Sequence, residues 1–359
     1  MNLSEITEPK RALKHAFCLP GGGAKAAVQL GAINRCLELG VEGSLYVTTS
    51  GGSPNGAMAA MRKYDELNAF WRQTGDTAGR FIFESYLAQL QDGTVRANVA
   101  AIRDILAAGL NFGDKIGLIT KKGQRSFIDK IINNAKGIDH LLDNAPLKET
   151  LLAQVRMADM KADFYPTFVS LYDGQLHCYH HSLFKDDRNL ALAVLASTSI
   201  PGVCAPVPEI HLADGTVIYD CVDGGLRASS PFSLTIQHID PAYDWAAWAI
   251  DNNSVNQQLN KSKKNLVTQA GGSVDIMLND GLGREIKMTK KINEWALKYP
   301  EFRAAEGIKV AKILHIEAPL DAEGYPLLGS TMDFRSEWID KRIAIGYESV
   351  NEFFKLVAA

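Results

Sequence analysis

Residues 13–52 read LKHAFCLPGGGAKAAVQLGAINRCLELGVEGSLYVTTSGG, and this stretch decides the fold. Residues 13–19 form a short apolar run that Pro20 and three glycines cut off. Beyond the glycines, Ala27, Leu30, Ile33 and Leu37 recur at helical spacing, and Gly40 suits the end of that helix. Residues 44–49, SLYVTT, make a second β-rich run, followed by Ser50-Gly51-Gly52 and an expected helix over 57–73. Strand, glycine turn and helix, twice over, is the rhythm of an α/β fold with a mostly parallel central sheet flanked by helices. Ligands on such sheets gather at the carboxyl ends of the strands.

Working outward, residues 76–160 read as mostly helical, with Val95, Val99, Ile102, Leu106 and Leu110 on one stripe. Strands are expected at 164–172, 175–181, 216–223, 245–251 and 312–318, and helices at 191–198 and along the tail. Asp214-Gly215 suits a hairpin turn. There is no repeat and no Pro/Ser-rich linker, so residues 1–359 read as one domain with a helical insertion at about 76–160.

Composition narrows the function. Hydrophobic residues make up 46% and charged residues 22%, enough apolar content for a core. The formal net charge of −3 gives no basic footprint for nucleic acid. Five cysteines without a C-x-x-C pair fit a reducing compartment and neither a disulfide framework nor a Cys-rich zinc site. The first residues, MNLSEITEPKR, lack the apolar stretch of a secretory signal, and no run of 18 apolar residues occurs. A cytoplasmic protein, at most peripheral at membranes, is expected.

Three turns can carry chemistry. Gly21-Gly22-Gly23-Ala24-Lys25 leaves backbone N–H groups uncovered in front of a helix N-terminus, an anion site. A phosphate-binding P-loop is excluded because neither Ser nor Thr follows Lys25. A dinucleotide fingerprint over Gly21, Gly23 and Ala26 lacks an acid after the second strand, which ends in Thr48-Thr49-Ser50. The second turn, Thr48-Thr49-Ser50-Gly51-Gly52, is a nucleophile elbow without its first glycine. Ser50 directly ends the β run and is preferred over Ser53, which suits a cap or early helical position. Helix capping alone is the simpler account of either serine. The third turn is Asp223-Gly224-Gly225, again after a strand-like run. In a parallel sheet such strand ends converge on one edge.

Together PGGGAK, TTSGG and VDGG, in that order, resemble the patatin-like phospholipase family. LASTSIPGVCAPV at 195–207 and IAIGYESV in the tail are similar to further family segments. The resemblance spans roughly residues 13–235 and the tail. Three positions depart from the pattern: Thr48 replaces the first elbow glycine, Ala26 a glycine, and Ser229-Ser230-Pro231 an Asn-x-Pro.

The resemblance implies a lipid acyl hydrolase with a Ser–Asp dyad. Ser50 attacks the ester carbonyl of a glycerophospholipid or lysophospholipid, and Asp223 takes its proton. The Gly21, Gly22 and Gly23 amides hold the oxyanion, with Lys25, Gly52 and Gly224 in support. No metal or cofactor is implied. A non-catalytic lipid-binding module on the same fold is the alternative. A Ser-His-Asp triad through His315 is the rival mechanism, although His315 sits inside an apolar strand run. His177 and His181, on one face of a strand, would be the candidate metal ligands, but lack acidic or Cys partners. Residues 81–112 would supply an apolar lid. Lys261, Lys263, Lys264, Lys287, Lys290 and Lys291 would meet anionic headgroups if they are more than a solvated face. The expected partner is a phospholipid or membrane surface, and a regulatory partner would restrain the activity.

Overall fold

The computed structural model describes residues 12–91, 94–107, 140–252, 282–317, 319–324 and 327–358. Leu110, Lys261, Lys263, Lys264 and the end of the 81–112 segment lie outside the described residues. Strand β1 (Leu13–Leu19) passes through a 3-10 turn (Gly23–Ala26) into α1 (Ala27–Glu38), and Gly40 ends the helix at φ +74°. Strand β2 (Leu45–Thr49) leads into α2 (Gly52–Ala60) and α3 (Tyr64–Asp76). The single helix expected at 57–73 is therefore two, broken at Arg62, which adopts φ +61°.

The 76–160 region is less helical than its sequence reads. It holds β3 (Glu84–Ser85), β4 (Ala88–Gln91), β5 (Thr94–Ala97), α4 (Val99–Ala107), β6 (Leu142–Asp143) and α5 (Ala145–Gln154). β3 pairs with β6 and β4 with β5, both antiparallel. The helical stripe over residues 95–110 hides these short strands in the sequence. Then follow β7 (Asp163–Ser170), β8 (Leu176–Cys178), α6 (Asp187–Thr198), β9 (Val207–His211) and β10 (Val217–Asp223). The chain ends with α7 (Gly225–Ala228), α8 (Phe232–His238), β11 (Asp244–Ile250), α9 (Leu282–Lys298), α10 (Pro300–Ala305), β12 (Lys312–Ile316) and α11 (Ser336–Ala358).

The sheet runs in the order β12-β11-β1-β2-β7-β10-β9, with β8 also paired to β7. β12, β11, β1, β2 and β7 are parallel. Side chains alternate between the two faces, as the strand pleat requires. Ala16, Cys18, Leu45, Val47, Ala247 and Ala249 face a core that includes Phe232 of α8 and Ile286 of α9. Phe17, Leu19, Tyr46, Trp248 and Ile250 face a larger one built with α1, α2, α3, α6 and α11. Tyr46, Phe17 and Trp248, matched in register, stack across β2, β1 and β11 with centroids 5.5 and 5.8 Å apart. On that side α1 and α11 cross backbone to backbone: a Cβ at Gly346 would stand 1.9 Å from the Val28 carbonyl oxygen.

Strand β7 determines how the sheet edge is assembled. Thr167 pairs with Thr49 of β2 and with Cys178 of β8, and Phe168 pairs with His177 of β8 and with Asp223 of β10. A strand has only two sides. β8 therefore takes the side opposite β2, and β10 takes the β2 side. β2 and β10 meet end to end along one flank of β7. The three turns do reach one edge, but not as a wholly parallel sheet would bring them. β10 is antiparallel to β7 and overlaps it for only three residues, Cys221 to Asp223, before it stops.

Candidate active site

Ser50 leaves β2 in the left-handed region, φ +53°. For a residue with a Cβ this conformation costs about 1–2 kcal/mol, and it occurs where α2 must begin immediately. The turn has little room. A Cβ at Gly52 would stand 2.3 Å from the Leu19 carbonyl oxygen, and one at Gly51 2.8 Å from that of Gly23. The elbow and the glycine-rich turn are packed backbone to backbone, which only glycine permits.

The end of α6 grips both sides of the site. The Ser50 N–H donates to Ser197 Oγ at 2.9 Å, and the Asp223 N–H donates to the Ser199 carbonyl at 2.9 Å. Ser197 Oγ is joined to Ser53 Oγ at 2.7 Å, and Ser53 Oγ to Thr48 Oγ1 at 2.9 Å. Ser53 is thus fully buried inside a hydroxyl chain, whereas Ser50 borders a cavity. The sequence reading missed Ser197 and Ser199 as individual residues. Their signal was a polar Ser-Thr-Ser run at the end of an apolar helix.

Asp223 is fully buried. Its Oδ1 accepts the Gly225 N–H at 2.7 Å, and its Oδ2 has no hydrogen-bond partner of ordinary geometry among the described residues. Burial pushes its pKa up to about 7, against the opposing pull of the nearby Ser50 hydroxyl and the Gly225 amide. Gly224 is pressed against β7: a Cβ there would lie 2.5 Å from Thr167 Oγ1.

In the glycine-rich turn, the Gly21 N–H donates to the Ser229 carbonyl at 3.0 Å. That amide is committed to the Ser229-Ser230-Pro231 segment, which corrects the expectation that all three glycine amides are available to an anion. No acceptor for the Gly22 or Gly23 N–H occurs among the described residues. Lys25 is buried within the turn, 2% exposed. The Ala24 N–H donates to the Thr331 carbonyl at 2.8 Å, so the loop before α11 braces the turn from behind.

Ser50, Gly51 and Gly23 open onto a cavity of about 550 Å³, counting its mouth. Its walls are almost wholly apolar and include Trp71, Phe83, Leu147, Ile200 and Phe334. Ile82 and Phe83, from the segment expected to form a lid, line this wall.

Thr48, where an elbow glycine was expected, is accommodated by a glycine elsewhere. A Cβ at Gly56 of α2 would stand 2.3 Å from Thr48 Cγ2. Gly56→Ala is expected to lower stability by about 1–3 kcal/mol. Thr48→Ser removes that methyl and keeps the hydroxyl, so the double variant should recover most of the loss. Urea unfolding of the four proteins in the cycle measures the coupling, and a value near zero would refute the pairing.

A family profile described as patatin-like phospholipase matches residues 17–236. The chain belongs to the patatin-like phospholipase family. Members of this family are lipid acyl hydrolases. No curated protein sequence matches the chain. Among solved structures, VipD from Legionella pneumophila aligns at 15% identity with a TM-score of 0.34, over 95% of this chain and 68% of its own.

His315, the histidine of the rival triad, is far from Ser50. His315 lies on β12, three strands from β2, a separation of about 14 Å at ~4.8 Å per strand. It faces Asp251 at 3.6 Å and Glu317 at 3.3 Å instead. The shared face expected for His177 and His181 is also lost. β8 ends at Cys178, and His181 opens a 3-10 turn, where its Nδ1 accepts the Phe164 N–H at 3.3 Å. Among the described residues, no group of three or more His, Cys, Asp or Glu is placed to hold a metal ion. No helix there is long and apolar enough to cross a membrane.

Proposed function

We propose that this protein hydrolyses carboxylic esters of glycerophospholipids or lysophospholipids through an acyl-Ser50 intermediate. The observation that carries the reading is a serine at φ +53° opening onto an apolar cavity, beside a buried carboxylate whose pKa is raised to about 7. A carboxylate with an ordinary pKa is a poor base for an alcohol. Burial makes Asp223 a better one at neutral pH.

In this mechanism the acyl chain enters the cavity, and Ser50 Oγ attacks the ester carbonyl carbon as its proton passes to Asp223. The oxyanion is held by the Gly22 and Gly23 amides, in front of the 3-10 turn and α1. The intermediate collapses, the C–O bond to the alcohol breaks, and Asp223 returns its proton to that leaving oxygen. Water then attacks the acyl-serine with Asp223 again as base, releasing a fatty acid and restoring Ser50. Every proton in this cycle is carried by the dyad. Lys25 adds positive potential behind the oxyanion. The segment from Phe81 covers the acyl chain.

The test is a fluorophosphonate adduct mapped by mass spectrometry, with turnover of a p-nitrophenyl ester and of phospholipid vesicles. The adduct is expected on Ser50, and Ser50→Ala should lose more than 10³-fold in turnover. Ser53→Ala should keep both the adduct and turnover within about tenfold, because Ser53 only braces the elbow. A wild type that neither labels nor turns over any of these esters would favour the lipid-binding alternative.

A further inference from the structure

We infer that Asn252, which follows β11 and lies beyond the matched family region, is the positioning residue that aims the Gly22 amide at the oxyanion. The inference rests on the proposed acyl-serine mechanism. Asn252 is fully buried, and its Nδ2 donates to the Pro20 carbonyl at 2.8 Å and to the Gly21 carbonyl at 3.1 Å. The orientation of the amide is unambiguous, because the reverse would set Oδ1 against two carbonyl oxygens. In a trans peptide the carbonyl of one residue and the N–H of the next point in opposite directions. Holding the Gly21 carbonyl therefore turns the Gly22 N–H away from Asn252 and fixes it there.

The neighbouring peptides are held by other means. The Pro20 carbonyl also accepts from Gln29 Nε2 at 2.9 Å, and the Gly22 carbonyl accepts from the Lys25 N–H at 2.9 Å. The Gly21–Gly22 peptide has Asn252 alone among the described residues. A peptide between two glycines rotates at little steric cost, so its donor stays aimed only if something grips the carbonyl.

Two further observations agree. A Cβ at Gly22 would stand 2.8 Å from Asn252 Cβ, so the side chain is fitted against this glycine. Among the described residues, Asn252 Oδ1 is buried without a hydrogen-bond partner. Such an orphan is destabilising, and an apolar residue at 252 would avoid it. The donor is kept at a cost in stability, as expected of a residue that serves the reaction.

The experiment compares Asn252→Leu and Asn252→Asp, both close in shape to the native residue, with wild type and Ser50→Ala. Three quantities are read for each: kcat and KM on a soluble ester, the affinity of a trifluoromethyl ketone that forms an oxyanion on the serine, and the affinity of a non-hydrolysable ether lipid. Both variants should lose 10- to 100-fold in kcat, less than the loss of a whole oxyanion donor. KM should stay within about twofold. Ketone affinity should fall by the same factor as kcat/KM, and ether-lipid affinity should hold. Should neither variant fold, Asn252→Ala removes only the carboxamide and carries the same expectations. Unchanged kcat, or ether-lipid affinity falling in step with ketone affinity, would overturn the assignment and leave Asn252 a structural residue. Failure of the mechanism itself looks different: Ser50→Ala would then match wild type in turnover and ketone affinity, which overturns both.

Discussion

Asp223→Asn is expected to lower ester turnover by about 10³-fold, within the range for loss of a positioned general base, while making the protein more stable at pH 8. The activity loss follows because an amide cannot accept the Ser50 proton. The stability gain follows from the burial that makes the carboxylate basic. The folded-state pKa is raised from 3.8 to about 7, so folding favours the protonated acid. That contribution is fully present below about pH 4 and is lost as pH rises through 7. Above pH 7 the native state carries a buried charge, at a cost on the order of 4 kcal/mol at most. The asparagine carries none, and its Oδ1 can still accept the Gly225 N–H. Thermal unfolding of both proteins should therefore coincide in pH dependence near pH 4, diverge between pH 4 and 7, and keep a constant gap above. The acid limb of the wild-type kcat profile should rise through about pH 7, the same ionisation seen in activity. Parallel stability curves across that window, with the variant inactive, would remove burial as the source of the basicity.

The second large effect is on stability alone. Gly346→Ala should cost 3 kcal/mol or more, at the upper end of what overpacking produces. The added Cβ would stand 1.9 Å from the Val28 carbonyl oxygen, and on the facing helix a Cβ at Gly31 would stand 1.8 Å from that of Ile343. These obstacles are backbone atoms, so no rotamer change relieves them and α1 and α11 must separate. α11 also carries Arg342, whose buried guanidinium donates to the carbonyls of Leu328, Ser330 and Asp333 in the loop that braces the glycine-rich turn. Loss of turnover should accompany loss of stability. Gly40→Ala is the control. That residue sits at φ +74° with no atom within 4 Å of a new Cβ, so only the left-handed backbone penalty of about 1–2 kcal/mol applies. Urea midpoints of the two variants decide the matter: comparable values would mean that the helix crossing yields easily.

Much of the fold is legible in the sequence, and the limits are physical. β1, α1 and β2 were readable because Leu13–Leu19 and Ala27–Glu38 carry their periodicities within a few residues of punctuating glycines. Asp214-Gly215 was readable as a turn, and Gly215 adopts φ +89° between β9 and β10. The two short ladders at 84–97 and 142–143 were missed because strands of two to four residues show no period that a helical stripe cannot mimic.

What the sequence determined by itself was local: the alternation of strand and helix, and the glycine turns that leave Ser50 and Asp223 at strand ends. Conformational preference acts within a few residues, so those features are written where they occur. What only the tertiary structure decided was long-range. β10 enters antiparallel and stops head-on against β2. Gly56 makes room for Thr48, and Ser197, Ser199 and Asn252 hold a serine, an aspartate and a glycine turn up to 232 residues away. Such partners are brought together by packing across the sheet edge. Nothing in the local pattern around a single serine or asparagine distinguishes one that grips a distant peptide from one that does not.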